Sequence, residues 1–247
     1  MFTVSIHDYH ISRCMKTATL IAFNRPEYTR EVLESLRKNN TKNYVLFVAI
    51  EPGCEQTIDI CRSVDFMPIE ILVNPSHRGV NYNNKYIYDL VFDRGSEWNV
   101  AIEDDTPLSP DAFDLVEWFF SFPKQDDYLL LNLFNGSRTV DRPLELFEHD
   151  AFCPWGYCFG KGAYERVIKP GWMCDQRGWD WSICKIMREK GLKSLSPFLS
   201  RARNIGKYGG VYCTPEFHDH CFSGHISSDG SFGKSFFIAS DRRLVKI

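Results

Sequence analysis

Three consecutive carboxylates, Glu103-Asp104-Asp105, close the apolar run Asn99-Val100-Ala101-Ile102. The run reads as a buried strand, so the acids emerge at its carboxyl end. In open α/β sheets that is where ligands bind. Adjacent carboxylates repel one another, and a cation relieves the repulsion. Hard oxygen donors suit Mg²⁺ or Mn²⁺, ions that commonly bridge to substrate phosphates. The chemistry offered is therefore a metal–diphosphate site. The alternative is an acidic strand-to-loop turn in which Asp105 caps the next helix.

The surrounding elements must deliver that triplet. Thr17 to Phe23 is a short apolar, partly β-branched run and reads as the first strand. Asn24-Arg25-Pro26 stops it, and proline at the start of a helix costs little because its missing N–H would be unpaired there. The helix that follows carries Val32, Leu33 and Leu36 on one face. Tyr44 to Ile50 is a second strand, ended by Glu51-Pro52-Gly53, and Ile69 to Val73 a third, ended by Asn74-Pro75. Between them Ile58 and Ile60 lie in a helical segment, and Gly79 opens another that runs to Phe92. Pro110 to Phe120 has helical spacing and Leu129 to Phe134 is a further strand. Alternating strands and helices predict a mostly parallel sheet flanked by helices, joined by right-handed crossovers.

The second half changes character. Aromatics and glycines cluster from Phe152 to Trp181. A helix is expected from Trp181 to Lys190, capped by Gly191. Residues 223–247 are rich in serine, glycine and basic side chains and read as a flap or tail, with Phe232, Phe236 and Phe237 to pack it down.

Composition narrows the function class. The chain has 247 residues, 44% hydrophobic and 25% charged, an ordinary globular balance. A net charge of −3 gives no broad electrostatic case for nucleic acid, although a local basic groove stays open. No apolar stretch approaches the ~20 residues that span a bilayer, and the first residues do not form a leader peptide, so a cytoplasmic protein is expected. The nine cysteines are odd in number and irregular in spacing, with no Cys-x-x-Cys, which favours reduced thiols over disulfides or zinc.

The order of elements resembles the GT-A fold of nucleotide-sugar glycosyltransferases, and three stretches resemble the N-acetylglucosaminyltransferase I family. Glu103-Asp104-Asp105 with Leu108-Ser109-Pro110-Asp111-Ala112-Phe113 is similar to that family's Glu-Asp-Asp, Ala-Pro-Asp-Phe-Phe stretch. Gly178-Trp179-Asp180-Trp181 is similar to its Trp-Asp-Asp-Trp. Ser200 to Lys207, with Phe217-His218-Asp219-His220 downstream, is similar to its Ser-Arg-Thr-Met-Thr-Phe-Gly and Phe-Phe-Asp-Gln-His. The resemblance covers about residues 17–222. It implies a single GT-A domain, with a nucleotide-sugar-binding half at about 17–105, an acceptor and catalytic half at about 106–222, and the remainder at 223–247 as flap or tail.

The resemblance also implies roles. Asp105 matches the metal-binding carboxylate for Mn²⁺ or Mg²⁺, with Asp104 toward the ribose or the ion's water shell and Glu103 toward the sugar. Asp180 is the candidate general base for transfer with inversion, because apolar rings such as Trp179 and Trp181 raise a carboxylate's pKa and also stack on sugars. Its alternative is a helix N-cap, and one residue can do both. Arg25 falls near the nucleotide, Glu51 where the family has a uracil-contacting aspartate, and Tyr82 where it has a nucleotide-side histidine. Arg201 and Lys207 are placed to close over the diphosphate. Trp155 and Tyr157 are candidate acceptor platforms, with a packed aromatic core as the alternative, and His218 is a candidate metal ligand. The donor implied is a UDP-sugar. The acceptor stays open among a glycan, a protein and a modified base or sugar on DNA. Rival readings are a sugar-phosphate nucleotidyltransferase, which would need a glycine-rich phosphate loop that Asn24-Arg25-Pro26 does not supply, and a non-catalytic sugar-nucleotide-binding protein.

Overall fold

The computed structural model describes residues 15–174, 178–210 and 213–239. Its first half is a run of βα units: β1 (Met15–Ala22), α1 (Pro26–Arg37), β2 (Tyr44–Ile50), α2 (Glu55–Arg62), β3 (Ile69–Val73), α3 (Val80–Asp93) and β4 (Ser96–Glu103). The second half holds α4 (Ala112–Ser121), β5 (Leu130–Asn132), β6 (Glu145–His149), β7 (Tyr157–Gly160) and α5 (Lys161–Ala163), which runs into a π-helical turn at Tyr164–Ile168. Then come α6 (Gly178–Lys190), β8 (Ser194–Pro197), α7 (Pro215–Phe222) and β9 (Phe237–Ile238). The expected helix at Trp181 begins three residues earlier, at Gly178, whose φ is +79°.

The strands form one sheet in the order β3-β2-β1-β4-β7-β5-β8-β6-β9. β3, β2, β1 and β4 are mutually parallel, as the alternation predicts. Beyond β4 the sheet is mixed: β7 runs antiparallel to β4 and β5, and β6 antiparallel to β8. Helices cover both faces. Val32, Leu36, Ile58, Phe113 and Phe119 pack with Val100 and Ile102 on one side, while Ile87, Val91, Trp179 and Ile183 pack with Ala101 on the other. Burying each large apolar side chain contributes about 1.5–3 kcal/mol, so these two layers hold the strand ends in place.

Register does the positioning. Ala22 pairs with Ile50 and Ile50 with Val73, while Ile21 pairs with Glu103. The ladder continues one step, Glu51 N–H donating to Ala22 O and Asn74 N–H to Ile50 O. Arg25, Glu51, Asn74, Asp104 and Asp105 therefore leave the sheet at one edge. Of the expected flap or tail at 223–247, residues 240–247 lie outside the described residues, and 223–239 lie along the surface, anchored at a few points. Ile226 N–H donates to Ser137 O and Ser228 N–H to Ser200 O, Phe236 is buried, and β9 pairs with β6.

Candidate active site

β4 presents its three acids in different directions. Val100 and Ile102 face the α1–α4 layer and Ala101 faces the α3–α6 layer, so the two-residue period turns Glu103 toward α3 and α6. Burial, with the Asp105 and Asp104 charges, holds Glu103 well above the ordinary glutamate range. Arg25 opposes that rise, and the Asp180 charge adds a smaller push upward. Asp104 and Asp105 are buried. Burial pushes Asp104 up to about 6, with Arg25 opposing and Asp105 adding.

Arg25 answers these charges. Its Nη1 lies 2.7 Å from Asp105 Oδ2 and its Nη2 donates to Asp104 Oδ1. Burial works against its charge, but the two aspartates outweigh that and raise its pKa. Asp105 is not a helix cap, because α4 starts seven residues after it, behind Asp111.

A strap from Arg203 to Gly209 crosses the acidic edge. Arg203 N–H donates to Pro107 O and Ile205 N–H to Asp105 O, at 3.0 and 2.9 Å. Tyr208 N–H donates to Tyr28 Oη at 3.1 Å. Gly206 sits so close that a Cβ there would stand 2.0 Å from Asp105 Oδ2, which only glycine avoids. The strap is tied to α7 by Lys207 Nζ on Asp219 at 2.8 Å and by His218 Nε2, 3.2 Å from Asn204 O.

At the neighbouring edge Glu51 is turned inward. Its carboxylate accepts from Gly79 N–H at 2.7 Å, Arg78 N–H at 3.0 Å and Asn83 Nδ2 at 2.8 Å. It satisfies the otherwise unpaired amides at the start of α3, a capping role. The carboxylate expected to read a base is thus committed to the backbone, and Asn83 and Asn74, which sequence reasoning missed, complete the cluster. Tyr82 is 55% exposed, with the Arg78 guanidinium 4.9 Å from its ring.

Asp180 lies in the first turn of α6. Burial raises it above the ordinary aspartate range, against hydrogen bonds from the N–H groups of Trp181 and its own residue. Behind it Trp179 is buried and stacks on Tyr157 at 5.5 Å, and Tyr157 Oη is 2.6 Å from Tyr88 Oη. Tyr157 and Trp179, expected as sugar platforms, are core residues: both hang on strands and helices whose inner faces are apolar. Trp155 is half-buried against Phe134 and Phe222. Trp181 alone of the four is well exposed, at 60%.

Arg201, expected over the diphosphate, is fully buried. Its Nε donates to Asp111 Oδ2 at 3.0 Å, and its other nitrogens to Leu199 O and Pro143 O.

The donor set fits a hard divalent cation in part. Asp105 and Asp104 are carboxylates in excess of their one guanidinium, and Asp105 Oδ1 has only Thr106 Oγ1, at 3.3 Å. Among the described residues no three His, Cys, Asp or Glu side chains form a metal-binding group. His218 therefore does not complete a protein-only sphere with the triplet, and an ion on Asp105 would take its other ligands from water and substrate oxygens.

The fold is of the GT-A type, as the order of elements predicts. No family model matches the chain. The alpha-1,3-mannosyl-glycoprotein 2-beta-N-acetylglucosaminyltransferase of Arabidopsis thaliana is 23% identical over 212 residues, 77% of this chain and 47% of that protein. The chain thus spans about half the length of the curated relative it matches, and the resemblance read from the three motifs recurs as an aligned likeness. Among solved structures, S. aureus TarS 1-349 is similar with a TM-score of 0.56 at 12% identity, over 76% of this chain and 60% of that one. A second crystal structure of S. aureus TarS has a TM-score of 0.54 at 12% identity, over 78% of this chain and 37% of that one. No helix among the described residues is long and apolar enough to cross a membrane.

Proposed function

We propose that the protein is an inverting glycosyltransferase that moves a sugar from a UDP-sugar to a hydroxyl of a glycan acceptor. The observation that carries this is the excess of carboxylates over cations at the carboxyl end of β4, in a GT-A fold whose curated relative bears an N-acetylglucosaminyltransferase name. Asp105, with Asp104 beside it, would hold a divalent ion, Mn²⁺ or Mg²⁺. When bound, that ion supplies charge neutralisation for the departing diphosphate.

The chain's own groups do the rest. Arg25 adds a fork of N–H donors suited to phosphate oxygens. Glu103, whose protonated form is favoured by burial and by its acidic neighbours, faces the sugar side of the site. Asp180 accepts the acceptor hydroxyl's proton as that oxygen attacks the anomeric carbon, and burial, which raises its pKa, makes it a stronger base than an exposed aspartate. The exposed Trp181 next to it gives the acceptor ring a flat apolar face. Glu51 serves the site through α3, by fixing the Arg78–Gly79 turn beneath Tyr82.

A thermal-shift panel of nucleotide sugars with and without Mn²⁺ tests the donor class, since a ligand of the folded state raises the melting point. UDP-sugars with Mn²⁺ should give the largest shift, and a glycan acceptor should then release UDP. Pyrophosphate release from a nucleoside triphosphate and a sugar phosphate would replace this reading with the nucleotidyltransferase one.

A further inference from the structure

A cation of the protein's own sits on the two carboxylates that the donor-site reading gives to the metal ion. Arg25 Nη1 is on Asp105 Oδ2 at 2.7 Å, and its Nη2 is on Asp104. The guanidinium is held on other sides too, with the Tyr28 ring 5.8 Å from it and Gly209 packed along its Cγ and Cδ. Asp105 has little room to turn to another partner, because Gly206 closes on the same Oδ2. A divalent ion and the guanidinium cannot both occupy that oxygen, and two cations a few ångströms apart repel. A diphosphate changes the balance, since its oxygens match the guanidinium fork at least as well as a carboxylate does.

We infer that Arg25 is a guard on the metal site. In the free protein it occupies Asp104 and Asp105 and suppresses metal binding. When the donor arrives, the guanidinium transfers to the diphosphate and Asp105 is released to the ion. Donor and metal then bind cooperatively, each strengthening the other by the same factor. This inference rests on the donor-site reading above and adds the order and coupling of the two binding events.

The test is titration of Mn²⁺ alone, with free Mn²⁺ read by electron paramagnetic resonance, into the wild type, Arg25→Ala and Arg25→Gln, each with and without UDP. Arg25→Gln keeps an N–H donor for Asp104 and backs up the alanine variant, and melting curves check that both fold. Without UDP, the variants should hold Mn²⁺ at least tenfold more tightly than the wild type. UDP should strengthen Mn²⁺ binding at least tenfold in the wild type and much less in the variants. Variants that bind Mn²⁺ no more tightly than the wild type would overturn the guard while leaving the donor site intact. A wild type that binds no Mn²⁺ even with UDP present would instead remove the donor-site reading itself.

Discussion

Two arginines of this protein pair with buried aspartates, and they differ in what is left over. Arg201 meets one carboxylate, Asp111, and its remaining nitrogens meet two carbonyl oxygens, while Ser228 Oγ donates to the same Asp111 oxygen at 2.8 Å. One cation faces one anion, and every nitrogen is used. Arg25 meets two carboxylates with a third beside them, so negative charge remains. The first pair joins β8's continuation to α4 and to the segment that carries Ser228. The second lies at a strand's carboxyl end under a glycine-bearing strap. The charge-matched pair ties parts of the fold together; the unmatched one, at a sheet edge, is the cluster on which the proposed donor site rests.

Substitutions can break or sharpen that contrast. Asp105→Asn should cost about 10³-fold or more in transfer, the scale of losing a principal electrostatic stabiliser, and abolish Mn²⁺-dependent UDP binding in calorimetry. Its melting point should hold or rise, because one of the two buried carboxylates that share a single guanidinium is gone. A large fall in melting point would place Asp105 with Asp111 as a structural residue. Asp180→Asn should lower turnover by about 10²- to 10⁴-fold, the range for a general base, with UDP affinity unchanged; near-normal turnover would exclude the role.

The same base gives a pH signature. Burial favours the protonated form of Asp180, and only the carboxylate accepts a proton. kcat/KM should therefore fall as pH drops, with a midpoint above the ordinary aspartate value of ~3.9. A profile flat down to that value would contradict the assignment.

Asp111→Ala should leave Arg201 buried and unpaired and cost about 3–5 kcal/mol of stability in denaturant unfolding. The fraction that stays folded should bind UDP normally, which separates the two arginines. Gly206→Ala should cost the fold less than Asp111→Ala, about 1–3 kcal/mol for a forced fit, but should weaken Mn²⁺–UDP binding, since the new methyl would stand 2.0 Å from Asp105 Oδ2.

The difference between the halves also governs how much was legible in the chain. The parallel strands β1 to β4 announce themselves as mainly apolar and β-branched runs, each stopped by a proline-bearing loop, and the acids of the site follow the last run directly. The later strands have two to five residues and pair over long distances, so β6, β8 and β9 carry no local period to read. Residue type alone does not separate a sugar platform from a core aromatic. Tyr157 and Trp179 looked like Trp181 until packing turned the first two inward. Arg201 and Glu51 misled for a related reason: charged side chains read as solvated, and only tertiary structure reveals Asp111 for one and the α3 amides for the other. Phe236 was the better guide to residues 223–239, because a buried ring needs a surface beneath it.

A crystal soaked in MnCl₂ and UDP, with data collected at the manganese edge, reaches the centre of the matter. An anomalous peak between the Asp105 carboxylate and both phosphates, with Arg25 moved onto the diphosphate, is the expected result. UDP bound elsewhere, or bound there with no manganese peak at Asp105, would contradict it.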